Sequence, residues 1–468
     1  MENTLIPDAS RRAFLRGSAA AVGAMATKNA VAAASGRLPN IVYIHSHDSG
    51  RYLQPYGHAV PTPNLQRLAR EGVLFRRAFS VAPTCSPSRS GLLTGQCPHK
   101  NGMLGLAHRG FALNDYKKHI VHTLRSKGYH SVLAGLQHVA VQPEMIGYDE
   151  IISPKNKSAL QVAPVAMEFL NRSHTEPFFL DVGFFETHRE YPKPTPADDA
   201  RYIQPPVPIP DTPQTREDIA AYHASARILD GGVGRVLDAL DANGLTENTL
   251  VISTTDHGIS FPLMKCNLTD SGSGVSLIMR GPGEFQGGRI CDALLSQLDI
   301  YPTLCDLLGI DRPEWLEGKS FLPILRGEKQ EINDEVFAEV TYHAAYEPKR
   351  AVRTQRWKYI RRFGDRTTPV LPNCDDGFSK SLWLQHGWKQ EILPKEDLYD
   401  LIFDPTEHQN LADDPTYKDT LAEMRGRLDR WMRRTDDPLL RGPVPAPHGA
   451  HVNNPDGISP KEPTETVA

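Results

Sequence analysis

Residues 40–50 read NIVYIHSHDSG. The opening NIVYI is a short apolar run rich in β-formers and reads as a buried strand. The remainder sets His45, His47 and Asp48 where that strand ends. The same plan recurs downstream. LQRLAREG reads as a helix stopped by Gly72. HTLRSKGYHSVLAG reads as helix, glycine stop and strand; APVAMEFLNRS is helical and PFFLDVGFF is a strand. A long helical pattern over residues 218–240 leads into the strand TLVISTTD, then the strand GVSLIM and the helix LLSQLDIYPTLCDLLGI. Strands alternating with helices predict an α/β fold: a large, mostly parallel sheet sandwiched by helices. Ligands in such sheets gather at the carboxyl ends of the strands.

Past about residue 326 the pattern changes. EVFAEVTYH, RAVRTQRWKYIRR and EDLYDL read as short antiparallel strands, and a helix over residues 416–434 follows Pro415. The expected division is a large α/β domain over 35–330, a smaller α+β subdomain over 331–442 and a flexible Pro-, Gly- and Asn-rich tail over 443–468.

The 468 residues carry a formal net charge of −4 and no long basic run, so nucleic acid is not an expected partner. No apolar run reaches the ~18 residues of a membrane span, so stable membrane insertion is not expected either. The six cysteines lack any CxxC pair and read as reduced, buried thiols. At the N-terminus, SRRAFLRG precedes the mildly apolar SAAAVGAMA and the small-residue AVAAAS. Paired arginines, a weak apolar core and a cleavage site in that order match a twin-arginine export signal over residues 1–34. The expectation is a protein that folds, and takes up any cofactor, in a bacterial cytoplasm before reaching the periplasm or the exterior.

Polar residues collect where the strands end. After His45, His47 and Asp48, the next such strand ends towards His138. PFFLDVGFF runs into Glu186, His188 and Arg189, and TLVISTTD ends at Asp256 and His257 with Lys265 shortly after. A lone strand-end histidine is more often structural than functional. A lone aspartate there is usually a cap or turn residue. Their joint arrival from four strands on one sheet edge is the signal. Asp48, Asp256 and His257 form a candidate set for a divalent metal, since carboxylates suit hard cations and imidazoles softer ones.

Residues 83–103 read PTCSPSRSGLLTGQCPHKNGM. Cys85 falls at the start of a helical stretch, where the dipole and free amides favour an anion. Arg89 lies one turn further on the same face. Both would lower a thiol pKa, which points to an activated cysteine beside an anion site. The alternative is a structural cysteine in a proline-rich turn.

CSPSR followed by LLTG resembles the sulfatase signature, Cys-x-Pro-Ser-Arg with a downstream Leu-Thr-Gly. The likeness extends over almost the whole chain after residue 35. NIVYIHSHDSG is similar to the family's opening metal-binding strand, GYHSVLAGLQH to its Gly-Lys-x-His segment and FFETHRE to the segment with a substrate-facing histidine. TTDHGISFPLMK is similar to its Asp-Asn/His-Gly metal segment with a downstream lysine, and LSQLDIYPTLCDLLGI and DLYDLIFDPTEHQNLADDP to its later blocks. CSPSRSGLLTG, KNGMLGL, DHGISFP and WMRRTDDPLLRGPVPAPHG look most like heparan N-sulfatases, the N-sulfoglucosamine sulfohydrolases. The resemblance implies an alkaline-phosphatase-like fold and hydrolysis of a sulfate ester or sulfamate. It further implies that a formylglycine-generating enzyme oxidises Cys85 to formylglycine. In that family one hydroxyl of the hydrated aldehyde attacks sulfur, and the other later expels sulfate.

Carried over residue by residue, Cys85 becomes the nucleophile and Arg89 orients its diol. His138 acts on the diol proton, and His188 and Lys265 face the sulfate and leaving group. Asp48, Asp256 and His257, with Cys85 and His47, hold one divalent ion. Two positions depart from the family pattern. His47 stands in place of the first Asp of Asp-Asp, and Leu136 in place of the lysine of Gly-Lys-x-His. Calcium is the family's ion; His47 and His257 open the site to manganese or zinc unless His47 points away from it. Leu136 removes one cation from the sulfate cradle. A phosphonate or phosphodiester hydrolase on the same scaffold, and a degenerate protein that binds sulfated glycans without cleaving them, are the competing readings.

Overall fold

The computed structural model describes residues 37–468, so the export signal expected over 1–34 lies outside the described residues. The main sheet has eight strands: β1 (Asn40–Ser46), β2 (Val73–Phe75), β3 (His130–Gly135), β4 (Glu150–Ile152), β5 (Phe178–Gly183), β6 (Thr249–Thr255), β7 (Leu277–Arg280) and β8 (Arg289–Cys291). In space they lie in the order β8-β2-β7-β6-β1-β5-β3-β4. Within this sheet only β7 runs antiparallel to its neighbours. The expected mostly parallel sheet is thus present, with β1 at its centre between β5 and β6.

The apolar run of β1 is continuous because both faces of the sheet are covered. Ile41 and Tyr43 join one core with Leu92, Ile120 and Leu304. Val42 and Ile44 join the other with Val162, Phe169 and Val233. Those partners come from helices α1 (Cys85–Thr94), α2 (Ile120–Arg125) and α5 (Ile300–Leu308) on the first face, and from α3 (Ala159–Leu170) and α4 (Pro213–Ala242) on the second. Each fully buried Val, Ile, Leu or Phe side chain contributes ~1.5–3 kcal/mol by leaving water. α4 starts at a capping box, in which the Thr212 and Thr215 side chains each receive the other's backbone N–H.

The C-terminal region is built on an antiparallel sheet of β9 (Val336–Tyr342), β10 (Tyr346–Arg353), β11 (Trp357–Arg362) and β12 (Glu396–Asp400). Helix α6 (Lys418–Arg434) lays Leu421, Met424, Leu428 and Trp431 onto Val352, Tyr359 and Leu398, and the same cluster reaches Val81 and Cys97 on either side of α1. A buried polar seam accompanies this apolar contact. Arg350, fully buried, donates from Nε to Asp437 Oδ2 at 2.6 Å and lies 3.2 Å from Glu339 Oε2. His99 Nδ1 donates to Glu339 at 3.0 Å.

The tail after Pro443, expected to be flexible, is ordered. β13 (His451–Asn453) and β14 (Thr464–Thr466) pair as a small antiparallel ribbon. Arg109, in the turn after α1, holds it, donating to Asn453 Oδ1 at 2.8 Å and to the Pro460 carbonyl at 3.3 Å. Composition alone carried no sign of these long-range partners. No helix among the described residues is long and apolar enough to cross a membrane.

Candidate active site

Cys85 is the first residue of α1, with Thr84 as N-cap in an extended conformation. All ten residues of this helix are buried. Its serines anchor it: Ser88 Oγ donates to the Asp256 carbonyl at 2.6 Å, and Ser86 Oγ accepts from the Ala107 N–H at 3.0 Å. Gly91 is required where α1 crosses Val81, because a Cβ there would lie 2.3 Å from Val81 Cγ1. The sequence thus brings the thiol to the carboxyl ends of β1 and β6.

Five donor groups meet at that point. One ligand-capable atom from each of His47, Asp48, Cys85, Asp256 and His257 lies within 4.8 Å of all the others, and all five residues are buried. His47 Nδ1 is 2.7 Å from Asp48 Oδ1 and 3.2 Å from Asp256 Oδ2, so His47 points into the set. His257 Nδ1 donates to the Gly258 carbonyl at 3.0 Å. That bond leaves the Nε2 lone pair facing inward, 3.4 Å from Cys85 Sγ and 3.3 Å from Asp48 Oδ1. Two carboxylates, two imidazoles and a sulfur or its oxidised successor suit a single divalent cation. Asp48 is held at φ 55, a left-handed backbone that aims its carboxylate at the cluster.

Cations ring the carboxylates. Arg89 donates from Nε and Nη2 to Asp256 Oδ2 at 3.2 and 2.9 Å, and from Nη2 to the Ser46 carbonyl at 2.9 Å. A buried chain supports it from behind. Tyr148 donates to Asp181, Asp181 accepts from His45 Nε2 at 2.9 Å, and His45 Nδ1 meets Arg89 Nη1. Lys265 Nζ lies 2.9 Å from Asp48 Oδ2, 2.8 Å from Asp375 Oδ2 and 3.4 Å from His188 Nε2. Burial disfavours a charged Asp48, but Lys265 and the surrounding imidazoles outweigh it and hold the carboxyl well below its usual range. Burial likewise opposes the charge on Lys265, and Asp375 and Asp48 overcome it, so its ammonium is held well above the usual range. Burial pushes the His47 imidazole down to about 4.

The thiol itself departs from expectation. Helix dipole and Arg89 were expected to lower the Cys85 pKa; complete burial, with Asp48 and Asp256 adding to it, pushes the thiol well above its ordinary value. Burial in this pocket thus disfavours the thiolate form of the unmodified side chain.

His138, at φ 63, is half-buried, and its buried Nδ1 finds no partner in the protein. Its ring is 5.5 Å from that of His47. His188 and Asp375 have side chains 24% and 16% exposed, which marks the opening of the pocket. Two other strand-end residues serve elsewhere. Glu186 accepts from Ser158 and from the Ala159 N–H at 2.8 Å, closing the start of α3. Arg189 pairs with Asp218 at 2.8 Å and stacks over Tyr191 and Phe261. Leu136 is half-buried and brings no charge to the pocket.

Sequence reading missed three residues here. Asp375 comes from the loop after Cys374 in the C-terminal region. His343, just past β9, is buried with an unpartnered Nδ1, and Lys265 and Asp375 lie close enough to influence its titration. His108, in the turn Ala107–Arg109, places its Nδ1 3.0 Å from His138 Nε2. None lies at the end of a main-sheet strand, so the rule that found the others could not find them.

A fold of this topology, with a cysteine at a helix start set against two carboxylates, two imidazoles, an arginine and a lysine, is that of a hydrolase of anionic esters. Residues 39–310 match the family model for sulfatases, and residues 265–371 the model for the C-terminal region of N-sulphoglucosamine sulphohydrolases. The chain belongs to the sulfatase family. It is 31% identical to the human N-sulphoglucosamine sulphohydrolase over 465 residues, spanning 86% of this chain and 92% of that protein. It is 30% identical over 429 residues to an ulvan-active sulfatase of Formosa agariphila, spanning 87% and 83%. Among solved structures, a 2-O GAG sulfatase superposes with a TM-score of 0.68 at 24% identity, covering 88% of this chain and 95% of that one.

Proposed function

We propose that this sulfatase removes sulfate from a sugar, as an ester or as a sulfamate, and that it does so through a formylglycine made from Cys85 by a formylglycine-generating enzyme. The observation that carries the reading is the convergence of Cys85, Asp48, Asp256, His47 and His257 within 4.8 Å in a buried pocket ringed by Arg89 and Lys265. The likeness to a sulfamate-cleaving relative directs the substrate assignment to a sulfated glucosamine-type sugar. A divalent ion held by the four metal-facing side chains and by residue 85 would neutralise charge on the sulfuryl oxygens and sharpen the nucleophile. The mixed oxygen and nitrogen donors suit manganese or zinc as well as calcium.

The chain's own groups divide the remaining work. Arg89, fixed between Asp256, the Ser46 carbonyl and His45, presents a guanidinium that cannot swing away from residue 85. It orients the hydrated aldehyde and opposes its developing charge. His138 offers the unpartnered Nδ1 as a base for the diol proton. His188 at the pocket opening and the buried Lys265 3.4 Å from it stand where the sugar oxygen or nitrogen leaves, and either supplies its proton. Asp375 and His343 bring hydrogen-bonding groups from the C-terminal region towards the sugar. Export by the twin-arginine route would deliver the folded enzyme to the periplasm.

Cys85→Ala is expected to fold and to lose turnover of both aryl sulfate and N-sulfoglucosamine. Mass spectrometry of the wild-type residue-85 peptide, after co-expression with the maturing enzyme, should show formylglycine. An unmodified thiol in active enzyme, or a fully active Cys85→Ala, would refute the mechanism. Faster cleavage of a phosphodiester than of either sulfated substrate would move the enzyme to the phosphate-cleaving reading.

A further inference from the structure

His138 shows two different faces. Its Nδ1 is buried and meets no protein group, and its Nε2 lies 3.0 Å from Nδ1 of His108. The two rings are nearly coplanar, 11° apart with centroids 5.2 Å apart, so a nitrogen of one points along the plane at a nitrogen of the other. His138 is half-buried with its Nδ1 shielded from solvent, whereas His108 is exposed. The pair therefore runs from the interior of the pocket to its surface.

The turn that carries His108 is clamped from both sides. Below it, the Ala107 N–H donates to Ser86 Oγ on the catalytic helix at 3.0 Å. Above it, Arg109 holds the C-terminal tail through Asn453 and the Pro460 carbonyl. Gly110 lies so close to the tail that a Cβ on it would be 2.9 Å from Ala450 Cα. An exposed histidine held this firmly is pre-organised rather than incidental.

We propose that His108 is the second imidazole of a proton relay: it receives the proton that His138 removes from residue 85 and passes it to solvent. The inference rests on the formylglycine reading above and deepens it. During release of sulfate the remaining O–H bond of the diol breaks, and its electron pair forms the C=O bond. The C–O bond to sulfate breaks and sulfate leaves with the electron pair of that C–O bond. The proton goes to His138 Nδ1, the proton on His138 Nε2 crosses to His108 Nδ1, and His108 Nε2 gives its own to water. On rehydration the transfers reverse. His138 Nδ1 protonates the carbonyl oxygen as water adds, the added water loses its surplus proton to solvent, and His108 Nε2 takes one up. Both tautomers are restored and no oxidant or reductant is consumed. A histidine alone in a buried pocket would have to hold its proton beside Arg89 and His47; the relay carries that charge out. His108 acts through His138 and is a positioning and relay residue, not one that touches the sugar.

The test compares wild type with His108→Phe, His108→Gln and His108→Gly, each co-expressed with the maturing enzyme. Loss of the relay is expected to lower kcat ~100-fold, the lower end of the range for acid–base groups, with KM nearly unchanged. Rapid quenching followed by mass spectrometry should find the residue-85 peptide sulfated in the variants and unsulfated in wild type. Added imidazole should restore part of kcat in His108→Gly and none in wild type. A readout independent of turnover is histidine-selective ¹⁵N NMR of the Cys85→Ala chain. It should show one shared N–H proton between the rings, and His108→Gln should abolish it. If wild type carries formylglycine and His108→Phe and His108→Gln keep full kcat, the relay is overturned alone. A slow variant without sulfated peptide or imidazole rescue overturns it as well. Unconverted Cys85 in active wild type overturns the formylglycine reading and the relay with it.

Discussion

At the scale of single residues, the site depends on Arg89 staying charged and immobile. Its guanidinium makes two bonds to one oxygen of Asp256, a third to Ser46 and a contact with His45, whose other nitrogen is held by Asp181. Lysine keeps the charge but has no planar fork and cannot make this set. Arg89→Lys is therefore expected to lower kcat by ~10²–10³, the cost of removing a pre-organised donor, with little change in near-UV circular dichroism. Steady-state kinetics checks it, and a variant within threefold of wild type would contradict the geometry. Much of this pocket was legible as residues, because strands of a parallel sheet deliver their C-terminal residues to one edge. His47, Asp48, Asp256, His257, His138, His188 and Lys265 all follow that rule. Asp375, His343 and His108 do not, since each is brought in by a loop whose destination depends on packing far along the chain.

At the scale of elements, helix starts were readable and their electrostatics were not. The start of α1 at Cys85 follows from the extended Thr84 and the prolines around it. The sign of the thiol's shift depends on burial, which no local pattern reports, and burial outweighs dipole and arginine together. The start of α2 supplies a second case. His119 caps it, its Nδ1 accepting from the Val121 N–H, while its Nε2 is buried without a partner. Burial pushes this imidazole down to about 3. In the unfolded chain a histidine titrates near 6.5. Between these values the unfolded state binds the extra proton, so stability rises with pH across the window and is fully present above 6.5. At ~1.4 kcal/mol per unit the effect is a few kcal/mol. Thermal unfolding followed from pH 7 to pH 4 should show Tm falling, and His119→Asn should flatten part of that slope. An unchanged slope in the variant would assign the acid sensitivity to other buried groups.

For the whole molecule, the α/β architecture, the change of pattern near residue 326 and the antiparallel C-terminal sheet were visible in hydrophobic periodicity. The way the parts lock together was not. Arg350 from β10, Glu339 from β9, Asp437 after α6 and His99 beside the catalytic helix share one buried polar seam. Asp437→Ala leaves Arg350 with half its compensation in the interior, which is expected to cost ~3–5 kcal/mol in urea unfolding. A loss below ~1 kcal/mol would show that water reaches the seam. The same tight packing has a consequence for the order of events in the cell. Cys85 is 2% exposed, on a helix with no residue at the surface. A second protein cannot lay its own reactive centre against a side chain sealed inside a finished fold. Any enzyme that rewrites this cysteine must meet the nascent chain while the segment is still slack. If Cys85 is converted as proposed, that conversion is a step of biosynthesis, and a molecule that folds too soon is committed to remain a thiol.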